Sequence, residues 1–390
     1  MKCSFCGKDE SEVAVIFTAQ DKSCICNECI NLMQQQMKSN MGEEKKETMT
    51  PKYIKELLDQ TVIGQEEAKK SLAVAAYTHY KKIARIQNGL PVFGKSNILL
   101  MGPTGSGKTY LAQKLSEILN VPFVICDVTS MTQAGYVGED VESILQKLVE
   151  RADGDVKKAE TGIVYLDEID KLAAHKTEQL DMGEGVQQSL LKIVEGTNVK
   201  VNSGGNGPFQ NSVTINTSNI LFIAGGAFEK VRKQESVKQA PVMGFSARPA
   251  EPKKILTKVQ SLEKSGMMPE LLGRFPIRVS LNNLSKDDLV KILTKQKESL
   301  VQEYADLMEM DGVALRFTKD ALSEIAELAE KDHLGARALR GVMEGMMREV
   351  LYETPSMKGL KACVIHKGVA SGTRKPEYLF AEKKKVAMGR

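Results

Sequence analysis

Tryptophan is absent from this sequence, aromatic residues make up only 5% of it, and no apolar run is long enough to span a bilayer. The net charge is only +4, and no basic cluster is interleaved with aromatic residues, so we expect no nucleic-acid partner. No cleavable signal pattern is present, which predicts a cytoplasmic protein without a membrane partner. The four histidines are scattered, which favours structural roles: His79, His175, His333 and His366.

Cysteine is distributed unevenly, because five of the seven cysteines lie within the first 29 residues. In a reducing compartment such a cluster favours a metal site over disulfides. The pairs Cys3-x-x-Cys6 and Cys26-x-x-Cys29 have the spacing of a tetrahedral Zn²⁺ site, and four thiolates leave no open position for a substrate. We therefore interpret residues 1–36 as a structural zinc-binding module and the charged segment 37–50 as a linker.

Cys24 leaves an alternative open within this module. It could replace Cys26 as a ligand, but Cys24 and Cys29 would break the two-residue spacing, so we interpret Cys24 as a spare thiol. A redox-active dithiol is a second alternative, and it lacks the surrounding βαβ pattern that accompanies such motifs.

A glycine-rich segment lies between a predicted strand at 98–101 and a predicted helix at 110–119. This context is typical of a phosphate-binding loop, whose backbone N–H groups turn towards a polyphosphate at a helix N-terminus. Lys108 is predicted to reach the β- and γ-phosphates, and the Thr109 hydroxyl to bind Mg²⁺. The nucleotide-binding residues predicted here are Gly102, Pro103, Thr104, Gly105, Ser106, Gly107, Lys108, Thr109 and Tyr110.

A second apolar run, residues 162–166, ends in two carboxylates, Asp167 and Glu168. Asp167 is predicted to hold the Mg²⁺ shell, directly or through water. Glu168 is then the candidate base that orients and polarises the attacking water. Together with the phosphate loop, this pair predicts that the protein hydrolyses ATP.

The order of the motifs resembles the ClpX family, the AAA+ unfoldases of the bacterial Clp protease system. The resemblance covers nearly the whole chain, including the N-terminal cysteine module. Besides the phosphate loop and Asp167-Glu168, its motifs are Val62-Ile63-Gly64-Gln65, Gly135-Tyr136-Val137-Gly138-Glu139-Asp140, Gly183–Gln188, Gly273-Arg274 and Gly335-Ala336-Arg337.

The resemblance implies roles for residues outside the phosphate loop. Val62 and Ile63 would form an apolar clamp around adenine. Arg274 would be an arginine finger supplied to a neighbouring subunit, which implies a ring, as a homo-hexamer. Arg337 would be the second sensor, on the small domain. A guanidinium suits both arginine roles because it stays charged and can bind two phosphate oxygens at once.

Two loops would contact polypeptides if the resemblance holds. Gly135, Tyr136, Val137 and Gly138 would form a pore loop in which Tyr136 grips the substrate. Met243, Gly244 and Phe245 stand where the family has an aliphatic-Gly-Phe tip that docks on a ClpP-type peptidase. The zinc module would receive protein substrates or adaptors.

The sequence departs from the family pattern in the loop 198–212, which lacks the usual Arg-Lys-His cluster and keeps only Lys200 as a charged residue. We therefore expect altered substrate choice. The strand at 220–224 ends in Gly225-Gly226 without a polar side chain, so we assign no first sensor.

We expect an α/β phosphate-loop AAA+ ATPase domain at 51–277, a smaller α+β lid domain at 278–390 and the N-terminal Cys₄ module. Helical patterns at 287–308, 319–331 and 336–352 and short strands at 313–317 and 362–365 predict the lid. The function expected is ATP-driven protein unfolding and translocation into a ClpP-type peptidase. One alternative is a protease-independent remodelling chaperone. A nucleic-acid motor with a zinc finger is a third possibility, which the charge pattern disfavours.

Overall fold

The computed structural model describes two compact units, Met1–Tyr53 and Ile54–Arg390. The described residues are 1–18, 23–40, 49–91, 94–131, 140–173, 182–202, 212–229, 231, 262, 266–295, 299–332 and 334–380. Among these residues we find no helix whose length and hydropathy would let it span a membrane. The predicted pore loop around Tyr136 and the predicted docking tripeptide around Gly244 lie outside the described residues, as do His175 and His333.

The first unit is built around a short antiparallel hairpin. Its elements are β1 (Ile16–Thr18), β2 (Cys24–Cys26) and α1 (Asn27–Asn40). The strands pair with Ile16 opposite Cys26. Gly7 has a φ of +75°, and its N–H donates to the Cys3 carbonyl at 2.9 Å, which closes a tight turn around Cys6. The turn and the hairpin present the two cysteine pairs to each other.

The second unit begins at Ile54, within its first helix, and continues into a parallel sheet. Its first elements, in chain order, are α2 (Pro51–Thr61), α3 (Glu66–Gln87), β3 (Ile98–Met101), α4 (Lys108–Leu119), β4 (Phe123–Asp127), α5 (Val141–Arg151), α6 (Val156–Ala159), β5 (Ile163–Asp167), α7 (Met182–Glu195), β6 (Asn198–Asn202), β7 (Ser212–Asn216), β8 (Leu221–Gly226), α8 (Pro269–Gly273) and β9 (Ile277–Ser280). Five strands form a parallel sheet in the order β4-β5-β8-β3-β9, and β6 and β7 form a separate antiparallel hairpin. Because β9 belongs to this sheet, the sheet extends past residue 277, where the predicted ATPase domain ends.

Apolar side chains cover both faces of the five-stranded sheet, as a purely parallel sheet requires. Alternate residues of the three central strands enter different cores. In β3, for example, Leu99 packs in one core, with residues of α5 and α7, whereas Ile98 and Leu100 pack in the other, with residues of α2, α3 and α4. Every residue of β8 is buried. The predicted α/β class is confirmed, and so is the predicted strand at 98–101.

Parallel pairing places the carboxyl ends of these strands along one edge of the sheet. Met101 of β3 pairs with Gly226 of β8, and Leu166 of β5 pairs with Ala224 of β8. The phosphate loop that follows β3 and the Asp167 carboxylate at the end of β5 therefore leave the sheet at the same edge.

A smaller α+β domain completes the second unit. Its elements are α9 (Lys286–Lys295), α10 (Leu300–Met310), β10 (Ala314–Phe317), α11 (Lys319–Lys331), α12 (Ala336–Glu353), β11 (Leu360–Ile365) and β12 (Glu377–Phe380). The strands form a mixed sheet in the order β10-β11-β12, and the helices pack around a core of their own. The single helix predicted at 287–308 is wrong, because α9 ends at Lys295 and Ser299 begins a new helix by accepting the Gln302 N–H at 3.3 Å.

His79 of α3 is buried at 4% exposure, and its Nε2 lies 3.0 Å from the Asn219 carbonyl oxygen. Burial lowers the pKa of His79 to about 4, because the imidazolium would lose its hydration there. The neutral ring donates its N–H to that carbonyl. The structural role predicted for this histidine agrees with this contact.

We expect His79 to make the stability of the protein depend on pH. Between its ordinary pKa of 6.5 and about 4, the unfolded chain binds a proton that the folded chain does not, so the free energy of unfolding falls as the pH falls. The lowering corresponds to about 3 kcal/mol. A His79→Gln variant keeps a donor for the Asn219 carbonyl. Between pH 7 and pH 4, its free energy of unfolding should fall by about 3 kcal/mol less than that of the unmodified protein. Denaturant unfolding followed by circular dichroism measures the free energy of unfolding of both proteins at each pH. If it falls equally in both, His79 does not cause the pH dependence.

Candidate functional site

The phosphate loop has the backbone geometry that anion binding requires. Gly105 and Gly107 have φ of +71° and +92°, in the left-handed region that favours glycine. Lys108 is the first residue of α4, and its ammonium donates to the carbonyl oxygens of Gly102 at 2.8 Å and Pro103 at 3.0 Å. The lysine is therefore held across the loop at the positive end of the helix, where a phosphate group would bind.

Two oxygen ligands suited to Mg²⁺ meet at the end of β5. The Thr109 hydroxyl donates to Asp167 Oδ2 at 3.0 Å, which joins the start of α4 to the end of β5. Mg²⁺ at nucleotide sites takes one or two protein oxygens and completes its shell with water and phosphate oxygens. The hydroxyl of Thr109 and the carboxylate of Asp167 fit that ion.

Glu168 has an unusual backbone conformation, with a φ of +57° that non-glycine residues rarely adopt. Its N–H donates to Asp167 Oδ1 at 3.0 Å, which supports this conformation from the neighbouring residue. Strained backbone of this kind clusters at functional sites, where surrounding contacts maintain it. Glu168 lines the cavity that opens beside the phosphate loop.

This cavity has a volume of about 720 Å³, which is within the range of small-molecule sites. Of the predicted nucleotide-site residues, its lining includes Thr104, Gly105, Gly107, Lys108, Thr109, Tyr110, Asp167, Glu168 and Arg337. The other predicted ones are outside the lining: Val62, Ile63, Gly102, Pro103, Ser106 and Arg274. The lining also has residues that the sequence did not indicate, namely Asp170, Lys171, Ala173, Gly226, Ala227, Phe228, Glu229, Val231, Leu300, Ala336 and Arg340.

The small domain contacts the phosphate loop through backbone atoms. The Ala336 N–H at the start of α12 donates to the Gly105 carbonyl at 3.1 Å. A Cβ on Gly105 would overlap the Leu334 carbonyl oxygen, and a Cβ on Gly335 would lie 2.7 Å from the Gly105 carbonyl oxygen. Both positions therefore need glycine, and the contact places Arg337 in the cavity lining.

Arg340 is a second cationic residue of α12 in the lining. It lies one helical turn beyond Arg337, and its guanidinium pairs with Glu303 of α10 at 3.0 Å. The sequence motifs did not indicate Arg340, although its three-residue spacing from Arg337 places both residues on one helix face.

Val62 and Ile63 precede α3 in a turn that the buried Lys69 holds in place. Val62 is 5% exposed and packs in the apolar core. Lys69, only 2% exposed, donates to the Val62 carbonyl at 3.2 Å and pairs with Asp59 at 2.5 Å and Glu66 at 2.8 Å. Burial raises the pKa of Asp59, but hydrogen bonds from Lys55 and Lys69 outweigh it and hold that pKa below its ordinary value. The turn is thus rigidly placed beside the site.

Gln65 joins this turn to both halves of the site. Its φ is +58°, and its amide donates to the Ser106 carbonyl at 3.3 Å and the Asn282 carbonyl at 2.9 Å. The Gln65 side-chain oxygen also accepts the Asn282 N–H at 3.0 Å. Asn282 lies between β9 and α9, so one side chain links the phosphate loop to the segment that leads into the small domain.

Asp170 organises the end of β8, where we assigned no first sensor. Its two carboxylate oxygens accept the N–H groups of Ala227 at 3.2 Å and Phe228 at 3.0 Å. A Cβ on Gly226 would crowd Phe228 and Asp170. The polar group at this edge therefore comes from the turn that follows β5, not from β8 itself.

Arg274 lies at the end of α8 and is half exposed. Its guanidinium pairs with Glu195 at the end of α7. The buried side chain of Asn97 donates to the Arg274 carbonyl at 3.0 Å and accepts the Phe222 N–H at 3.3 Å. The backbone beneath Arg274 is thereby tied to the start of β3 and to β8.

The first unit brings together the four cysteines that spacing predicted as ligands. The Sγ atoms of Cys3, Cys6, Cys26 and Cys29 all lie within 4.8 Å of one another. Two of the separations are 3.9 Å, between Cys3 and Cys29, and 3.6 Å, between Cys6 and Cys26. Four sulfurs at about 2.3 Å from a tetrahedral ion would lie about 3.8 Å apart. The cluster fits Zn²⁺.

Thiols of this cluster are close enough to shift one another's pKa values in opposite directions. Hydrogen bonding by the backbone N–H of Cys6 lowers the pKa of Cys3 to about 6, whereas the neighbouring thiol of Cys6 raises the pKa of Cys29 to about 12. Four thiolates repel one another unless a cation neutralises them. Cys24 is not in the cluster; its Sγ lies 3.6 Å from the Thr18 hydroxyl.

Three family models match the chain. Residues 1–39 match the ClpX C4-type zinc finger, residues 94–278 the AAA domain (Cdc48 subfamily), and residues 284–364 the C-terminal, D2-small domain, of ClpB protein. A curated relative from Treponema denticola, named ATP-dependent Clp protease ATP-binding subunit ClpX, is 42% identical over 98% of this chain and 97% of its own length. This chain belongs to the ClpX family. A relative of the same name from Borrelia duttonii is 44% identical over 94% of this chain and 90% of its own length.

Membership in the ClpX family confirms several expectations. The chain combines an AAA domain, a small C-terminal domain and an N-terminal C4 zinc finger, as predicted. It is an ATPase, with ATP, Mg²⁺ and Zn²⁺ as its nucleotide and metals. The geometry of the phosphate loop, of Thr109 with Asp167 and of the cysteine cluster agrees with these three species.

The cysteine cluster predicts how two matched variants differ. In the full chain, Cys24→Ser should retain one zinc per chain, because Cys24 is outside the cluster, whereas Cys26→Ser should lose it. Zinc content measured after gel filtration distinguishes the two. Both variants should keep most of the ATP hydrolysis, since the predicted catalytic residues all lie in the second unit. Zinc loss from Cys24→Ser but not from Cys26→Ser would make Cys24 the ligand.

Proposed function

We propose that this chain is an ATP-driven protein unfoldase that assembles as a homo-hexameric ring and translocates polypeptide into a ClpP-type peptidase. The names of its relatives support the link to the Clp protease. The four thiols of the zinc module suit a reducing compartment, which supports the cytoplasm as its location. The zinc module itself is the proposed docking point for substrates or adaptors.

ATP hydrolysis is assigned to residues at the shared edge of the sheet. Lys108 would contact the β- and γ-phosphates, and Thr109 and Asp167 would hold Mg²⁺, which neutralises charge on the phosphates when bound. Glu168 would orient the attacking water from its supported backbone position. Arg337 would report the state of the nucleotide to the small domain. The adenine clamp by Val62 and Ile63 remains a prediction, because neither residue lines the cavity.

Arg274 carries the proposal of a ring. Among the described residues, Arg274 is outside the cavity lining and its side chain is half exposed. Glu195 holds its guanidinium, and Asn97 holds its backbone carbonyl. An arginine with this placement is suited to complete a site on another subunit rather than its own. A ring of identical subunits supplies such a neighbour at every site.

Mixing two inactive variants tests this arrangement. Arg274→Ala lacks the finger and Glu168→Gln lacks the base, so each should hydrolyse ATP at least a hundredfold more slowly alone. In an equal mixture, about a quarter of the interfaces would pair an intact Glu168 with an intact Arg274, so part of the activity should return. The exposed Arg348→Ala is the matched control and should remain active. If co-assembly is shown by light scattering and no ratio restores turnover, Arg274 does not act in trans.

The proposed grip on the substrate comes from Tyr136, in a loop outside the described residues. Gly135 and Gly138 flank this tyrosine in the sequence, and an aromatic ring gives broad contact with any extended polypeptide. The loop follows β4 in the sequence, between the phosphate loop and Asp167.

The hairpin of β6 and β7 supports the second candidate function, a remodelling chaperone with altered substrate choice. Asn202 pairs with Ser212, so residues 203–211 connect the strands, and this connection has no charged residue. Capture of a peptide carboxylate would lack charge-assisted hydrogen bonds there. Docking of Met243-Gly244-Phe245 on a peptidase decides between the two functions.

An unfolding assay tests both the grip and the partner. Tyr136→Ala should slow ATP-dependent unfolding of a tailed fluorescent protein about three- to tenfold while ATP hydrolysis continues, because only the aromatic contact is lost. Tyr352→Ala, which removes a tyrosine that is 82% exposed, is the matched control. Adding a ClpP-type peptidase should yield peptides if the complex forms. Unfolding without peptides would favour the remodelling chaperone, and equal rates for the two variants would exclude Tyr136 as the grip.

A further inference from the structure

Tyr165 is a buried tyrosine beneath the proposed Mg²⁺ ligands. It lies on β5 two residues before Asp167, so both side chains leave the same face of the strand. The side chain is fully buried. Its hydroxyl lies 3.4 Å from Asp167 Oδ1 and 3.4 Å from the Thr109 hydroxyl oxygen.

The neighbouring strand leaves space for this hydroxyl. A Cβ on Gly225 of β8 would overlap the Tyr165 oxygen. Glycine in the middle of a strand weakens it, so its presence here marks a close approach by another group. The same Cβ would also lie 2.7 Å from the ring carbon Cζ of Tyr165, so Gly225 leaves room for the end of the whole side chain, including its hydroxyl.

The two oxygens of Asp167 have separate partners. Oδ1 accepts from the Tyr165 hydroxyl and, at 3.0 Å, from the Glu168 N–H, whereas Oδ2 accepts from Thr109 at 3.0 Å. With Oδ1 held by two donors, the rotation of the carboxylate is restricted, and Oδ2 remains directed to Thr109. The hydrogen bond from the Glu168 N–H to Oδ1 also supports the strained backbone of Glu168.

We propose that Tyr165 is a positioning residue that fixes the Asp167 carboxylate for Mg²⁺ and, through Asp167, the backbone of Glu168. Tyr165 is not in the cavity lining, so it acts through Asp167 and does not contact the nucleotide. The inference rests on the proposed role of Asp167 as a Mg²⁺ ligand.

The test measures how Mg²⁺ changes the binding of a fluorescent, non-hydrolysable ATP analogue to the full chain. Tyr165→Phe removes only the hydroxyl and should raise the Mg²⁺ concentration for half-maximal enhancement of binding about two- to tenfold, the value of one hydrogen bond. Affinity in EDTA should stay within about twofold, since the phosphate loop is unchanged. If Tyr165 had only a structural role, the substitution would change the affinity for the analogue both with Mg²⁺ and in EDTA, or would change neither.

Two further variants separate the possible failures. Tyr80→Phe removes a hydroxyl that donates to the Thr161 carbonyl at 3.0 Å, away from the cavity lining, and should leave the Mg²⁺ dependence unchanged. Asp167→Asn should raise the Mg²⁺ requirement more than Tyr165→Phe does. If Asp167→Asn has no effect, the proposed role of Asp167 fails. If Asp167→Asn has its effect and Tyr165→Phe matches Tyr80→Phe, only the positioning role of Tyr165 is overturned.

Discussion

The carboxyl edge of the parallel sheet is the constraint on which the nucleotide site depends. Because β3, β5 and β8 run in the same direction, the turns that follow them open on one side of the molecule. That side receives the phosphate loop, the Asp167 carboxylate and the N–H groups that Asp170 binds. A shift of one residue in the pairing of β5 with β8 would turn Asp167 into the core. The register is set by the apolar side chains on both faces of the sheet.

Polar side chains with several hydrogen-bond partners then fix the surroundings of this edge. Asn97 ties the backbone of Arg274 to β8, Lys69 holds the turn at Val62, and Gln65 joins the phosphate loop to the start of the small domain. Each of these polar groups has partners that offset its desolvation, and removal of one partner would leave a costly unsatisfied group. Such networks specify one arrangement of the elements, where an apolar core alone would tolerate several.

The sequence predicted those features that depend on local pattern. Strand, glycine turn and helix around Lys108 follow from apolar spacing and glycine positions, and the zinc ligands follow from two short cysteine spacings. Features that depend on contacts between distant segments were not predictable. In the sequence, Tyr165 is one residue of an apolar strand. Its contacts with Thr109 and Asp167, and the room that Gly225 of β8 leaves for it, depend on the folded structure. The position of Arg340 depends on the packing of the small domain. The apolar periodicity continues through Ser299, although Ser299 is extended and begins a new helix.

The contact between Gly105 and Gly335 has a consequence for chemical selectivity. Main-chain atoms form the wall of the cavity there, and any side chain at either position would push the two domains apart. The wall can therefore differ little between chains that keep this contact, and a small molecule resting against it would bind many relatives equally well. An inhibitor meant for this chain alone must instead reach lining residues with variable side chains, such as Leu300 and Val231, which do not take part in this contact.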